Sequence, residues 1–248
     1  MASGRGTKVR GGTTDRRTRL AEDPRIVHLA KLRSLPPDSW PTRERILYEA
    51  SSLIGVKGYY GATTREVADA VGIQQPSIFN HFASKRDIVS ALFDYDQIIP
   101  AEVSVALAAE TGSPAVRLYR YVAWQTRWYH DMPFDLRGLQ DALLDELELV
   151  EHRAAWARWK RSINKIVRQG VDNGEFNPDG RGFVHSVLTA LSFEVIRSTH
   201  GSRQRSGAGD LPDTAASFVL RALLVDPARI DAVRHDANRS DAAGTYLT

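Results

Sequence analysis

The chain has 248 residues, of which 42% are hydrophobic and 25% charged, the composition of a globular protein that can bury a sizeable core. It contains no cysteine, which excludes disulfide bonds, thiolate metal sites and a cysteine nucleophile, and its formal net charge of +3 indicates no particular partner. No segment approaches the ~18 apolar residues of a membrane span, and no apolar run follows the N-terminal charges as in a secretory signal, so we expect a cytoplasmic protein.

Residues 1–40 are predicted to form a basic, largely disordered N-terminal arm. Residues 22–35 can form one short helix within it, and the prolines at positions 36, 37 and 41 end that helix. A disordered arm can stay in solvent or can bind nucleic acid phosphates, and the sequence leaves both interpretations open. Against one acidic residue, Asp15, the positive side chains of the first 19 residues are Arg5, Lys8, Arg10, Arg16, Arg17 and Arg19.

Two helices with clear end signals are predicted after the arm. Apolar residues recur at i, i+3 and i+4 from Thr42 onward, and Gly58 and Gly61 end this first helix. Thr63 and Glu66 have the spacing of a capping box, in which the hydroxyl accepts from a backbone amide while the carboxylate reaches back. A second, short helix is therefore expected to begin at Thr63.

A tight turn and a third helix are predicted next. Gly72 ends the second helix after about two turns, and the pair Gln75-Pro76 opens the third, where the missing N–H of proline costs nothing. Three apolar residues three or four apart are expected to point inward, namely Ile78, Phe79 and Phe82.

The rest of the chain also has helical periodicity. Further helices are predicted at 85–109, 114–129, 136–149, 152–172, 183–199 and 212–224. No convincing strand or repeat interrupts them, so the predicted fold class is all-α. Residues 41–88 are expected to form one domain and residues 89–226 a second, and residues 227–248 a flexible tail.

Helix, glycine-containing turn and second helix is the helix-turn-helix arrangement, which indicates binding to double-stranded DNA. A helix fits the ~12 Å major groove. Gln75, Ser77 and Asn80 are exposed donors and acceptors of suitable length for base edges. Thr63 or Thr64, at the start of the preceding helix, and Lys85 can meet phosphates. Two short helices with a glycine turn also occur in helical proteins that bind no DNA.

The segment from Thr42 to Asp96 resembles the N-terminal domain of the TetR family of bacterial transcriptional repressors. That family's run is roughly Gly-x-x-x-Thr-Thr, Ile/Val-Ala, Ala-Gly-Val-Ser and Tyr-x-x-Phe-x-x-Lys. The chain supplies Gly58, Thr63, Thr64, Val67, Ala68, Val71, Gly72, Ile73, His81, Phe82, Ser84 and Lys85. The resemblance implies a three-helix helix-turn-helix DNA-binding domain followed by a helical ligand-binding and dimerisation domain.

The resemblance also implies roles for single residues. Gln75, Pro76, Ser77 and Asn80 would face bases, whereas Thr64, His81 and Lys85 would face phosphates. The chain departs from the family at Phe79, where the usual tyrosine hydroxyl is absent, and at Gln74, which weakens the side-chain cap of the helix. The predicted DNA-binding residues are Thr63, Thr64, Gln74, Gln75, Pro76, Ser77, Phe79, Asn80, His81 and Lys85.

Family members bind palindromic operators as homodimers and respond to small molecules, and the resemblance implies both properties here. The helices at about 152–172 and 183–199 are the predicted dimer interface, although their apolar residues suit a monomer core equally well. Aromatic residues can line a pocket for an unknown effector, although aromatic residues at helical spacing are more often core. The candidate ligand-binding residues are Tyr121, Trp124, Gln125, Trp128, Tyr129, Phe134 and Phe193, with His130 and His185 as further polar candidates.

An enzyme is not indicated. The seven histidines are scattered without metal-ligand spacing, and no nucleophile elbow or phosphate-cradling glycine loop occurs, so we expect neither a metal nor a cofactor. The sequence therefore favours a DNA-binding transcriptional regulator, with repression and release by a ligand as the expected mode. The alternative is a helical protein-interaction module, or a ligand-binding protein without sequence-specific DNA binding.

Overall fold

The computed structural model describes residues 20–139, 150–201 and 210–241. These residues form an all-α fold without a strand, as predicted, and none of their helices has the length and apolarity to cross a bilayer. The predictions for residues 1–19, 140–149 and 242–248 lie outside the described residues. The described helices are α1 (Pro24–Arg33), α2 (Thr42–Gly61), α3 (Thr64–Val71), α4 (Gln75–Ile78), α5 (Lys85–Phe93), α6 (Ile99–Ala109), α7 (Pro114–His130), α8 (Val150–Asp172), α9 (Val184–Gly201), α10 (Leu211–Leu223) and α11 (Ile230–Asp241).

The segment from α1 to Trp40 packs on the rest of the chain, so the prediction of a largely disordered arm as far as residue 40 is wrong for this part. Leu29 and Leu32 of α1 are buried. Trp40 donates its indole N–H to the Leu32 carbonyl at 3.0 Å. Its ring forms edge-on contacts with the rings of Tyr48 and Phe134, with ring centres 5.5 Å and 6.2 Å apart. Burial of these apolar side chains offsets the entropy lost in ordering the segment.

Helices α2, α3 and α4 form a small three-helix unit. α3 packs against both α2 and α4. The inner faces carry the periodic apolar residues that the sequence indicates, including Ile46 and Leu47 of α2 and Val67 and Val71 of α3, all buried. Helix α4 contributes Ile78, which has no exposed surface. The three short helices are therefore held together by one shared apolar core.

Phe79 points outward, so the prediction that it faces the core is wrong. Its side chain is 49% exposed, whereas Ile78 and Phe82 are buried. Helix α4 has only four residues and ends at Ile78. The chain continues in a turn in which Phe82 donates its N–H to the Ile78 carbonyl at 3.0 Å. Two inward residues suffice for this short element, and the Phe79 ring is left on the surface.

The helix predicted at 85–109 is divided into three parts. α5 is followed by a π-helical segment, Asp94–Ile98, and then by α6. A π turn inserts an extra residue into the helical repeat and re-aims the side chains around it. Asp96 and Gln97 lie on this segment, which packs against α8.

Helix α7 is the centre of the C-terminal part and contacts α6, α8, α9, α10 and α11. Ser113 caps it by accepting from the Val116 amide at 3.3 Å, and Pro114 follows, as predicted. A buried ion pair between Arg120 and Glu110, 2.6 Å apart, joins α7 to the end of α6. Most of the aromatic residues of α7 are buried in this bundle.

The prediction of a flexible tail from residue 227 is wrong as far as Asp241. Helix α11 packs against α7 and α10. Ile230, Val233 and Ala237 are buried and recur at helical spacing. Arg234 of α11 forms an ion pair with Asp213 of α10 at 3.3 Å. These contacts fix α11 as part of the bundle.

Candidate functional site

A capping box holds the start of α3. Thr63 Oγ1 accepts from the Glu66 amide at 3.2 Å, and Glu66 Oε2 accepts from the Thr63 amide at 2.9 Å. Lys57 Nζ lies 2.6 Å from the other carboxylate oxygen of Glu66. The hydrogen bond from Lys57 and those from Thr63 lower the pKa of the Glu66 carboxyl to about 2. The N-terminus of α3 is therefore set in one orientation relative to α2.

The turn between α3 and α4 depends on Gly72. This residue has φ 76° and ψ 35°, the left-handed conformation that ends many helices and that glycine adopts without steric cost. The following Ile73 donates its N–H to the Ala68 carbonyl at 3.0 Å, which completes the cap. α4 then starts at Gln75 with Pro76 in its first turn.

The outer surface of α4 and its following turn, which we call the α4 face, is open to solvent. Its exposed residues are Gln74, Gln75, Pro76, Phe79, Asn80 and His81. Ser77 and Thr64 are half-buried beside them, and Thr63 is exposed. Gln75 Nε2 donates to Thr64 Oγ1 at 3.1 Å, which links α4 to the first turn of α3. Nine of the predicted DNA-binding residues are thus exposed or half-buried on the α3–α4 unit and its following turn.

Lys85 lies apart from this surface. Its ammonium donates to the carbonyls of Tyr59 and Ala62, the latter at 2.5 Å, and lies 4.2 Å from the centre of the Tyr59 ring. Burial lowers the pKa of Lys85. Its charge therefore stabilises the C-terminal end of α2, where helix carbonyls concentrate negative potential. Sequence reasoning passed over Arg65, an exposed cation one residue after Thr64.

A second candidate site is a cavity of about 380 Å³, within the size range of small-molecule sites. It lies among α7, α8, α9 and the π-helical segment at the start of α6. Its lining residues are Asp96, Gln97, Pro100, Gln125, Tyr129, Arg153, Trp156, Trp159, Thr189, Ser192, Phe193 and Ile196.

Of the predicted ligand-binding residues, Gln125, Tyr129 and Phe193 line this cavity and the other four do not. Tyr121 has no exposed surface. Trp128 donates its indole N–H to the Tyr95 carbonyl at 3.0 Å, and Trp124 stacks on Trp128 with ring centres 5.3 Å apart.

Three further predicted candidates also lie elsewhere. The Phe134 ring packs against the Tyr95 ring at 5.3 Å. The His185 ring contacts the Lys160 carbonyl at 3.2 Å, and neither His130 nor His185 lines the cavity. Aromatic spacing alone therefore marked core residues as well as cavity residues, because both sets lie on the same helices.

Sequence reasoning missed the polar residues of the π-helical segment and two tryptophans of α8. Asp96 and Gln97 reach the cavity from a helix with shifted register, which no apolar periodicity announces. The rings of Trp156 and Trp159 stack with centres 4.6 Å apart. Their i, i+3 spacing was available in the sequence, but it equally suited a dimer interface or a monomer core.

The cavity wall holds polar groups in a poorly solvated position. The Tyr129 hydroxyl donates to the Asp96 backbone carbonyl at 2.7 Å. Burial raises the pKa of the Asp96 carboxyl to about 6, although side chains of Gln97 and Tyr129 hydrogen-bond to it. Gln125 Oε1 is buried without a hydrogen-bond partner. A buried polar group without a partner costs free energy, so a ligand that supplies the missing hydrogen bond binds more tightly.

The cavity lies next to the end of α5, the helix that follows α4 in the chain. The π-helical segment follows directly on α5, and the buried His152 of α8 lies 3.4 Å from Asp94 Oδ1 and 5.3 Å from the Phe93 ring. Arg153 of the cavity wall is next to His152 in the chain, so His152 connects the wall to Phe93 at the end of α5. Within the described residues, no group of three or more His, Cys, Asp or Glu side chains is placed to hold a metal ion.

Comparison with known proteins agrees with this arrangement. Residues 46–92 match the model of bacterial regulatory proteins of the tetR family. The chain is 28% identical over 148 residues to the HTH-type transcriptional repressor KstR2 of Mycolicibacterium smegmatis, which covers 55% of this chain and 68% of that protein. It is 40% identical over 52 residues to the uncharacterized HTH-type transcriptional regulator YvkB of Bacillus subtilis, covering 21% of this chain and 28% of YvkB.

The structural likeness extends beyond the matched N-terminal segment. The crystal structure of Mycobacterium smegmatis AmtR superposes with a TM-score of 0.67 and 25% sequence identity. That comparison covers 81% of this chain and 96% of AmtR. The matched N-terminal segment, the curated relatives and the structural likeness all support the TetR family of bacterial regulatory proteins.

Proposed function

We propose that the protein is a transcriptional repressor that binds a palindromic DNA operator as a homodimer and is released by a small-molecule ligand. The observation that carries the proposal is the α4 face, a row of short polar side chains exposed on a helix that a capping box and a left-handed glycine hold in place. In this proposal residues 41–88 are the DNA-binding domain and residues 89–226 the regulatory domain.

The α4 face supports a division of roles among its residues. Gln75 and Asn80 carry amides that can pair with adenine edges, and Ser77 accepts or donates. His81 and Thr64, at the sides of this surface, suit phosphate contacts, which fix the position of the helix on the duplex. Because Lys85 is engaged with backbone carbonyls of α2, we assign it a structural role that orders the unit behind the α4 face.

The exposed apolar residues favour a dimer interface on α9 and α10. Phe183, directly before α9, is 66% exposed, and Phe218 and Val225, on and after α10, are 73% and 55% exposed. The outward face of α8, by contrast, is basic, with Arg161 and Lys165 exposed. Apolar surface of this kind gains from burial against a second copy. We therefore propose α9 and α10, rather than α8 and α9, as the interface, with Phe218→Glu expected to yield monomers in sedimentation velocity.

The proposed release mechanism is a shift between two spacings of the DNA-binding domains. Two recognition helices must lie about 34–36 Å apart to enter successive major grooves on one side of the duplex. A ligand in the cavity contacts the π-helical segment that continues into α5, so it can favour the conformation with the wrong spacing. The shift is limited by the difference in ligand affinity between the two conformations.

The test is binding to DNA selected from a random pool by the purified full chain. We expect a palindromic sequence, bound with an affinity that falls steeply with salt because phosphate contacts release counterions. A scrambled duplex of equal length should bind at least about 1000-fold more weakly at physiological salt. Equal affinity for the selected and the scrambled duplex would reject the proposal.

A further inference from the structure

The two charged side chains of the cavity wall differ in their exposure to solvent, and the wall also holds an unpartnered hydrogen-bond acceptor. Together these properties indicate a ligand class. We propose that the cavity takes a ligand that carries a protonated amine beside an aromatic or alicyclic ring system. This inference rests on the proposal that the cavity is the effector site, and it specifies the chemistry of the effector.

The first argument is the position of the two charged lining residues. Among the described residues of the wall, Asp96 and Arg153 are the charged ones. Arg153 is exposed, so water and salt screen its guanidinium. Asp96 is half-buried on the π-helical segment, so it is less accessible to water than Arg153, and this burial raises the pKa of its carboxyl. An ammonium group beside Asp96 therefore interacts through a lower dielectric than an anion beside Arg153 would.

The second argument is the aromatic surface next to this carboxylate. Trp156 and Trp159 stack on one another, and Tyr129 and Phe193 also line the cavity. Tryptophan offers the strongest cation–π interaction among the side chains. Lys160 Nζ already lies 5.6 Å from the Trp156 ring centre, so the tryptophan pair attracts an ammonium group within the protein itself. A ring system on the ligand would fill the apolar remainder of the cavity.

The third argument is the unpartnered acceptor. Gln125 is 6% exposed and its Oε1 has no hydrogen-bond partner, while the neighbouring Tyr129 hydroxyl is engaged with the Asp96 carbonyl. An ammonium group has three donors and no acceptor. It can satisfy Gln125 Oε1 and the Asp96 carboxylate together, which a carboxylate ligand cannot do.

The experiment compares three probes that share a ring and differ in charge: naphthylethylamine, naphthylethanol and naphthylacetate. Binding to the full chain is followed by quenching of tryptophan fluorescence, to which Trp156 and Trp159 contribute, and checked by calorimetry. We expect the amine to bind at least about tenfold more tightly than the alcohol, and the acetate to bind most weakly, because one extra interaction of about 1.4 kcal/mol is a tenfold change.

Two variants assign the preference to its cause. Asp96→Asn keeps the side-chain volume and should reduce the affinity for the amine to that for the alcohol, while the alcohol affinity stays unchanged. Unchanged alcohol binding shows that the cavity is intact in the variant. Asp94→Asn is the matched control, because Asp94 lies two residues away on the same segment, faces His152 and does not line the cavity. It should retain the preference for the amine.

Preferred binding of the acetate, or a preference for the amine that survives Asp96→Asn, would overturn the inference. The titrations contain no DNA, so their failure is separate from a failure of the proposed function. An amine that binds as expected but leaves the protein–operator complex unchanged would confirm the ligand class and reject the cavity as the release site. Absence of specific DNA binding would reject the proposed function and leave the titrations to be judged by themselves.

Discussion

The α4 face and the cavity are built from the chain in different ways. Every residue of the α4 face lies between positions 74 and 81, and the motifs that orient it lie within the preceding twelve residues. The cavity wall extends along the chain from Asp96 to Ile196 and draws on five helical elements. One surface is therefore set by local backbone chemistry, and the other exists only after the bundle has packed.

This difference has a consequence for substitutions. A change on the exposed α4 face removes one contact with a partner and leaves the fold unaltered, because that side chain supports no core. A change in the cavity wall alters packing, solvation and any ligand contact together. The two regions should respond independently, except where a residue joins them.

The largest effect is expected at Trp40, which lies outside both regions and packs between α2 and Phe134. Its ring lies between Tyr48 of α2 and Phe134, near the Tyr95 ring. Trp40→Ala should lower the free energy of unfolding by about 3–5 kcal/mol, because it leaves a cavity and removes the indole hydrogen bonds to the Leu32 and Leu35 carbonyls. Urea denaturation measures the change. Tyr60→Ala, at a ring that is 69% exposed, is the control and should stay within about 0.5 kcal/mol of the parent.

A substitution on the α4 face should affect only DNA. Asn80→Ala is expected to weaken binding to the selected operator by about 1–3 kcal/mol if its amide reads a base. Affinity for scrambled DNA, the free energy of unfolding and probe binding in the cavity should not change. Asn173→Ala, at an exposed loop position of the regulatory part, is the matched control. An equal loss on operator and scrambled DNA would assign Asn80 to phosphate contact instead.

The sequence predicted the α4 face well because its determinants are local. The capping box at Thr63 and the glycine at position 72 act over three or four residues, and such signals survive in any tertiary context. Phe79 was misplaced because helical periodicity was continued past Ile78, where the helix already ends. A four-residue helix is too short for its period to decide which way the Phe79 ring points.

The sequence predicted the cavity only in part because its determinants are not local. Gln125 and Tyr129 were found through their place on α7, but Asp96 depends on a π turn that shifts the register of an otherwise regular helix. Helix α11 was missed for a different reason. Ile230, Val233 and Ala237 have helical spacing, but the charged residues around them made the segment resemble a solvated tail.

Asp96 also provides a test of solvation in the cavity. Its carboxyl pKa is about 6 in the folded chain, against an ordinary 3.8. A pKa raised by folding gives stability that is present below the ordinary value and is lost as pH rises through the folded value. Asp96→Asn mimics the protonated form, so it should be more stable than the parent at pH 7.5, by about 1–3 kcal/mol, and equal to it near pH 4. Thermal unfolding at both pH values measures this difference. An equal stability at pH 7.5 would mean that water reaches the carboxylate freely.

The smallest expected effect distinguishes a change in the orientation of α4 from a change in the free energy of unfolding. Gly72 and Gly174 both have positive φ, 76° and 72°, and a Cβ added at either position meets no atom within 4 Å. Alanine at each should therefore cost about 1 kcal/mol of unfolding free energy through the backbone alone. Gly72 aims α4, whereas Gly174 lies in the loop after α8. Gly72→Ala should thus also weaken operator binding several-fold, measured at a temperature where both variants are fully folded, and Gly174→Ala should not. If both variants bound the operator like the parent, the turn at Gly72 would not determine how α4 meets DNA, and the local control inferred for this surface would be wrong.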